Sequence, residues 1–252
     1  MTRLRIGPPA AAFKRRVIAM AALGAGISML AGCAPWRIWT TASLANEARP
    51  YAAQPAQPTR RILVVGDSTA VGTGASGPLA SLPGLIGQRH PAWHIDNLAS
   101  NGARYADVAQ QLERAAAGYD LVLVLAGGND VIRFTSEAAL RRHITAVVDL
   151  ARQKAARVVL MPCGNVGHAP FFMPPLSWVM SRRSNRLHAL VQEISAARHA
   201  HYVRLLKPRD EDPFVARRTE LHAADGLHPS DAGYRTWWRE LVAQGGLAGL
   251  DG

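Results

Sequence analysis

The sequence predicts an α/β fold in which crossover helices join five strands into a mostly parallel sheet. From residue 61 onward, short apolar runs alternate with amphipathic stretches of helical length. Three of the five runs are almost wholly apolar, which is typical of central strands that are covered on both faces. With 252 residues, 48% of them hydrophobic, the chain is long enough for one sizeable core, so we expect one main domain.

The elements of this fold can be placed in chain order. The apolar runs predict strands at 61–66, 93–98, 121–126, 157–161 and 202–206. Helices are expected near 79–89, 105–117, 136–155, 182–200 and 230–243. The third helix has Ser136 as a candidate N-cap and an apolar face that runs from Leu140 to Ala151. Because open parallel sheets bind ligands at the carboxyl ends of their strands, functional residues should follow each run.

Polar and glycine residues do follow the predicted strands. Gly66-Asp67-Ser68 follows the first strand, a loop with Gly102 follows the second, and Gly127-Gly128-Asn129-Asp130 follows the third. Asp225 and His228 stand just before the last helix. These residues are the candidates for the chemistry of the protein.

A phosphate-binding loop is one interpretation of the stretch after the first strand. GTGASG at 72–77 matches the G-x-G-x-x-G pattern. In dinucleotide-binding folds, however, the first glycine directly follows the strand, whereas here Gly72 lies six residues after Gly66. The stretch also lacks the lysine of a Walker-type loop. The spacing therefore disfavours nucleotide binding.

A serine nucleophile explains more of these residues. A serine hydroxyl needs a base to take its proton, and the base needs a partner that fixes its tautomer. His228 and Asp225 can supply this pair for Ser68, since Pro229 places His228 where a loop enters a helix. Each of these residues, taken alone, could be an ordinary surface residue. It is their joint occurrence that favours a catalytic role.

Acyl transfer also needs hydrogen-bond donors for the oxyanion that forms on the substrate. The candidates are the backbone N–H groups of Ser68 and Gly102 and the side-chain amide of Asn129. Glycine at 102 lets the backbone approach a substrate closely. Asn129, taken alone, is better explained as a turn residue, since Gly-Asn-Asp is common in turns.

These blocks resemble the SGNH hydrolase superfamily, also called GDSL esterases and lipases. Ser68 stands in GDST, Gly102 in SNGA, Asn129 in GGND and His228 in DGLH, in the order of the family's four blocks. The resemblance spans about residues 61–243. The chain departs from the family's usual name at Thr69, where Leu is common.

The resemblance implies a flavodoxin-like three-layer α/β/α sandwich and ester hydrolysis, or thioester hydrolysis, without a metal or other cofactor. Ser68 would attack the ester and form an acyl-enzyme, His228 would act as base and then as acid, and Asp225 would orient His228. Ser68, Gly102 and Asn129 would form the oxyanion hole. Asp67 is interpreted as a local turn-stabilising carboxylate, because it is too close to Ser68 in the chain to reach the far side of the imidazole.

The segment at 163–180 is rich in aromatic residues and proline and follows the fourth strand. Phe171, Phe172, Met173 and Trp178 are therefore expected to line an acyl pocket or to form a lid. The alternative is a loop folded onto a small core of its own. Cys163, at the start of the segment, is interpreted as a small buried hydrophobic residue.

The N-terminal residues resemble a bacterial lipoprotein signal. Residues 1–32 combine five basic residues with an apolar run of 16, and LAGC at 30–33 resembles a lipobox that ends in Cys33. An ordinary secretory signal or an uncleaved anchor is the alternative. We expect lipidation at Cys33, a flexible tether of Ala, Pro and Gln at 33–60, a hydrolase domain at 61–246 and a location in the bacterial envelope, at the periplasmic side of the outer membrane.

Charge and composition limit the possible partners. The net charge of +11 falls to +6 without residues 1–32, and the remaining arginines occur as scattered pairs without interleaved aromatics, so no nucleic-acid role is assigned. The expected substrates are acyl lipids or O-acylated envelope glycans, reached from a membrane anchor. The alternative function is a non-catalytic envelope lipoprotein that binds glycans or acyl chains on the same scaffold.

Overall fold

The structure is a computed structural model that describes residues 36–250, and within this range five strands form one sheet. The strands are β1 (Arg60–Gly66), β2 (Trp93–Asn97), β3 (Tyr119–Leu125), β4 (Ala155–Leu160) and β5 (His201–Tyr202). Their order in the sheet is β2-β1-β3-β4-β5, and all four neighbouring pairs are parallel. The predicted α/β fold is thus confirmed, with a sheet that is parallel throughout.

Helices cover both faces of the sheet. They are α1 (Ser68–Val71), α2 (Leu82–Arg89), α3 (Tyr105–Arg114), α4 (Gly128–Ile132), α5 (Glu137–Lys154), α6 (Leu176–Ala197), α7 (Pro213–Ala216), α8 (Arg218–Leu221) and α9 (Asp231–Ala243). Short 3₁₀ turns lie at Pro78–Ala80 and Val166–His168. As predicted, Ser136 caps α5, since its Oγ accepts the N–H of Ala139 at 3.4 Å.

The alternation of side chains along the strands builds two cores, one on each face of the sheet. In β1, Leu63 and Val65 point toward α3, α5 and α6, whereas Ile62 and Val64 point toward α2 and α9. All four side chains are fully buried. A sheet buried in this way on both faces holds its strand ends rigidly, and the candidate functional residues are attached to those ends.

The last strand is shorter than predicted. β5 ends at Tyr202, although apolar residues continue to Leu206. The side chain of Gln244 takes over the backbone groups of Arg204: its Oε1 accepts the N–H at 2.7 Å and its Nε2 donates to the carbonyl at 3.0 Å. With these groups satisfied by a side chain of the following helix region, the backbone leaves the sheet.

Residues before β1 differ from the prediction of a flexible tether. Residues 41–47 are helical, and Ala53 pairs with Ile95 at the edge of β2 through backbone hydrogen bonds of 3.0 and 2.8 Å. The N–H of Thr59 donates to the carbonyl of Ala92 at 2.9 Å. The segment 51–59 therefore lies along the edge of the sheet, a contact that its Ala, Pro and Gln composition did not indicate.

The N-terminal signal predicted at 1–32 and the predicted lipidation residue Cys33 lie outside the described residues. Residues 36–40 belong to a separate unit from residues 41–250 and are helical, with the Thr40 hydroxyl donating to the Trp36 carbonyl at 2.9 Å. Among the described helices, none combines the length and the apolar character that crossing a membrane requires.

Candidate active site

The end of β1 is built to hold Ser68. Gly66 has a φ of +149°, and a Cβ at this position would overlap the carbonyl oxygen of Leu125 in the neighbouring strand, so only glycine fits. The chain then turns into α1, which begins at Ser68. Asp67 caps this helix: its Oδ1 accepts the N–H of Thr69 at 2.9 Å and the Thr69 hydroxyl at 2.7 Å.

Ser68, His228 and Asp225 form one hydrogen-bonded chain. His228 Nδ1 lies 2.6 Å from Asp225 Oδ2, and His228 Nε2 lies 2.9 Å from Ser68 Oγ. Because the carboxylate can only accept, Nδ1 carries the proton and Nε2 is left to accept from the serine hydroxyl. The Asp225 Oδ1 also accepts the N–H groups of Leu227 at 2.9 Å and of His228 at 3.1 Å.

The electrostatics keep Asp225 charged. Burial acts to raise the pKa of its carboxyl, but the hydrogen bond and charge of His228 and the two backbone N–H groups outweigh burial and hold the pKa below its ordinary value. Asp225 is therefore ionised at neutral pH, as a group that stabilises an imidazolium must be.

Asp67 provides a second carboxyl group in the site, and its pKa is shifted in the opposite direction, upward. Complete burial raises its pKa from 3.8 to about 6, although the hydrogen bonds from Thr69 act to lower it. Because the folded state binds this proton more tightly than the unfolded state, the ionised form destabilises the fold, and the penalty develops as pH rises through 3.8 to about 6.

We therefore expect Asp67→Asn to stabilise the protein at pH 8. Asn keeps an oxygen that can accept from Thr69 and carries no charge to bury, so the free energy of unfolding should rise by about 1–3 kcal/mol. Urea unfolding at a series of pH values measures this gain, which should disappear below about pH 4. The exposed Asp210→Asn is the control, and an equal effect of both variants at all pH values would contradict the assignment.

The two predicted oxyanion residues outside β1 take different positions. Asn129 lies in α4 and lines the same cleft as Ser68 and His228. Gly102 has a φ of +78° and belongs to a loop beside β1, in which the N–H of Ser100 donates to the Gly66 carbonyl at 3.2 Å. The Thr73 hydroxyl bonds Asn101 Oδ1 at 2.7 Å and holds the other side of this loop. Both residues thus flank the turn that carries Ser68.

An apolar cleft of about 110 Å³ opens at Ser68, and we call it the acyl cleft. Its apolar walls come from six separate segments of the chain, with side chains that include Ile132, Val166, Leu205, Phe214, Leu227 and Trp237, and Ala169 lies beside Val166. Cys163 also lines the cleft, and burial raises the pKa of its thiol, as expected of an unreactive cysteine.

Three aromatic side chains and Met173 were predicted to bind substrate, and none of the four lines the acyl cleft. Phe172 packs against the core on the α5 and α6 side of the sheet, and Phe171 lies edge-on to it with ring centroids 5.0 Å apart. Met173 and Trp178 are 53% and 69% exposed. The reason is local: the 3₁₀ turn at Val166–His168 directs Val166 and Ala169 into the cleft, and the chain then passes outward to the start of α6.

A second buried His–Asp pair stands in the wall of the acyl cleft and was not identified from the sequence. His168 Nδ1 lies 2.6 Å from Asp212 Oδ2, and Asn165 Nδ2 lies 3.1 Å from His168 Nε2. Since Asn165 Oδ1 already accepts from Gly167, its amide group donates to His168. Both nitrogens of His168 are thus engaged, and the pair connects the 165–168 turn to the segment before α7. Among residues 36–250, no group of three His, Cys, Asp or Glu side chains could hold a metal ion.

Comparison with known proteins identifies one family. The model of the GDSL-like Lipase/Acylhydrolase family matches residues 64–236, which include Ser68, Gly102, Asn129, Asp225 and His228. No curated protein matches the sequence.

Solved structures share the fold at low sequence identity. A protein from Lactobacillus plantarum has a TM-score of 0.64 at 16% identity, with 76% of this chain and 98% of that chain covered. A lipase/acylhydrolase from Enterococcus faecalis has a TM-score of 0.56 at 22% identity, with 74% and 95% covered. A catalytic mutant of an acetylxylan esterase from Geobacillus stearothermophilus has a TM-score of 0.56 at 17% identity, with 76% and 96% covered.

Proposed function

The chain belongs to the GDSL-like Lipase/Acylhydrolase family, a family of ester-hydrolysing enzymes, and from this we propose that it is a serine esterase that acts through an acyl-enzyme. The observation that carries the proposal is the chain of hydrogen bonds from Asp225 through His228 to Ser68, at 2.6 and 2.9 Å. Its order and distances are those that activate a serine hydroxyl.

The reaction proceeds in two halves. Ser68 Oγ attacks the carbonyl carbon of the ester while His228 Nε2 takes the hydroxyl proton, and the tetrahedral intermediate collapses when the same proton passes to the leaving alcohol. A water molecule then attacks the carbonyl carbon of the acyl-enzyme while His228 Nε2 takes its proton, and the bond to Ser68 Oγ breaks as this proton passes to Oγ, which releases the acid and restores the serine. Asp225 stays ionised throughout and stabilises the imidazolium that forms in each half.

The oxyanion of both intermediates is held by the N–H groups of Ser68 and Gly102 and by the side-chain amide of Asn129. Ser68 follows β1, Gly102 lies in the loop after β2, and Asn129 follows β3. All three donors are therefore attached to the same edge of the sheet before substrate binds. Donors fixed in advance need no reorganisation as charge develops on the substrate.

Hydrolysis of para-nitrophenyl butyrate by the full chain, compared with Ser68→Ala, tests the proposal. Turnover by the wild type that the variant lacks supports a serine esterase. Equal release of para-nitrophenol by both proteins would contradict the nucleophile assignment, and the absence of turnover on any ester would contradict the function.

If the acyl cleft binds the acyl chain, a change in its wall should alter the preference for acyl chain length. Ala169→Leu places a larger side chain in the wall of the cleft, so kcat/KM for octanoyl esters should fall by about tenfold or more, whereas acetyl esters should lose much less. The ratio of the two values measures the effect. Ala196→Leu, at an exposed position of α6, is the control and should leave the ratio unchanged. A similar loss on both esters in Ala169→Leu would contradict this role of the cleft.

We also propose that the chain is exported and lipidated at Cys33, which would place the esterase at the bacterial envelope. The basic and apolar residues before LAGC at 30–33 support this proposal. Expression in a bacterial host with an alkyne analogue of palmitate should label the wild type, and Cys33→Ser should remove the label. A label of equal strength on both proteins, or on neither, would contradict lipidation at this residue.

A further inference from the structure

A second depression, which we call the polar basin, lies beside the loop that carries Gly102. Its volume is about 310 Å³, and its walls contrast with those of the acyl cleft. They include Ser100, Asn101, Gly102, Gln110, Arg114 and Arg133. A polar wall with two guanidinium groups suits a hydrophilic ligand, whereas the acyl cleft suits a hydrocarbon chain.

Arg133 connects the polar basin to the candidate active site. It follows α4, the helix that carries Asn129, and its backbone N–H donates to the Asn129 carbonyl at 2.9 Å. Its guanidinium lies against Gly102, where an added Cβ would come within 3.2 Å of Nη2. The guanidinium thus stands beside Gly102, and the backbone of Arg133 is bonded to Asn129, so Arg133 is in contact with two of the three proposed oxyanion residues.

The charge of Arg133 has no counterion among residues 41–250, where its guanidinium forms neither an ion pair nor a hydrogen bond with another residue. Arg133 is exposed, and it differs from arginines such as Arg141, which forms an ion pair with Glu193, and Arg183, which donates to backbone carbonyls. The basin contains one acid, Asp107, which already accepts the backbone N–H of Arg104 at 2.8 Å and pairs with its side chain at 3.9 Å. The basin therefore keeps an excess of positive charge.

We propose that the polar basin binds the alcohol part of the ester and that Arg133 selects esters whose alcohol part carries an anionic group, such as a phosphate or a carboxylate. The inference rests on the proposed esterase function and narrows it: the substrate is an amphiphile with an acyl chain in the acyl cleft and an anionic head in the basin. A guanidinium is suited to this role because its planar fork binds phosphate and carboxylate oxygens in pairs.

Two esters with the same acyl chain test the proposal, monooctanoyl glycerol phosphate and neutral monooctanoyl glycerol. The full-length wild type should favour the phosphate ester by about tenfold or more in kcat/KM, mainly through a lower KM. In Arg133→Gln this preference should fall by about tenfold, because the charge-assisted bonds to the head are lost. Added salt should weaken the preference in the wild type.

Arg182→Gln is the control, since Arg182 is exposed and lines neither depression. It should keep the wild-type preference, and hydrolysis of the neutral ester shows that each variant is folded. An equal loss on both esters in Arg133→Gln would show that the guanidinium acts on the oxyanion and would overturn the proposal, as would a wild type without preference. Absence of hydrolysis of both esters and of para-nitrophenyl butyrate would instead contradict the esterase function, and the inference with it.

Discussion

His228→Ala is expected to lower kcat for ester hydrolysis by about 10⁴–10⁶-fold while leaving the fold intact. Without the imidazole, no other group of residues 41–250 is within hydrogen-bond distance of Ser68 Oγ to accept its proton, so the hydroxyl remains a weak nucleophile. Residual hydrolysis reflects substrate binding and the oxyanion donors. Asp225→Asn should cost less, since the imidazole stays in place and only its tautomer and its stabilising charge are affected.

The control for this experiment is a partly buried His–Asp pair away from the site. His94 Nε2 lies 2.9 Å from Asp96 Oδ2 in β2, and neither residue lines the acyl cleft. His94→Ala should therefore retain turnover within about twofold of the wild type. Near-normal turnover by His228→Ala, or a comparable loss in both variants, would contradict the role of His228 as the base.

Gly66→Ala is expected to have the largest effect on stability. The new methyl group would overlap the carbonyl oxygen of Leu125, which is part of the central pair β1 and β3, and the φ of +149° is unfavourable for any residue with a Cβ. Relief requires the two central strands to separate locally, so we expect a loss of more than about 3 kcal/mol, a large part of the roughly 5–15 kcal/mol that stabilises a typical domain.

Gly77→Ala is the matched control, because a Cβ at Gly77 has no other atom within 4 Å and its φ of 177° is ordinary extended backbone. Urea unfolding of both variants measures the difference. The same unfolding midpoint for Gly66→Ala and Gly77→Ala would show that the turn before Ser68 does not require glycine.

The sequence predicted the sheet well because the signals of its strands are local. Buried runs such as 121–126 and the apolar face of 136–155 depend only on neighbouring residues, and the candidate triad could be placed because strand ends meet at one edge of a parallel sheet. The end of β5 could not be predicted in this way. It depends on Gln244, which lies 40 positions from Arg204 in the chain.

The residues that line the acyl cleft also could not be predicted from local sequence patterns. The aromatic segment at 163–180 was the natural choice for an acyl pocket, yet its large side chains Phe172 and Trp178 go to the core and the surface. The wall instead uses small and branched side chains such as Val166 and Ala169, together with residues from distant segments. His168 and Asp212 are 44 positions apart, and no spacing rule links them. The proposed role of Arg133 likewise depends on its position beside Gly102, which is seen only in the folded chain.

The most direct test of the account is the intact mass of the protein after exposure to a fluorophosphonate, a reagent that forms a stable adduct with an activated serine. We expect a single adduct on the wild type, none on Ser68→Ala, and strongly slowed formation on His228→Ala. No adduct on folded wild-type protein, or an adduct of equal rate on Ser68→Ala, would contradict the claim that Ser68 is an activated nucleophile.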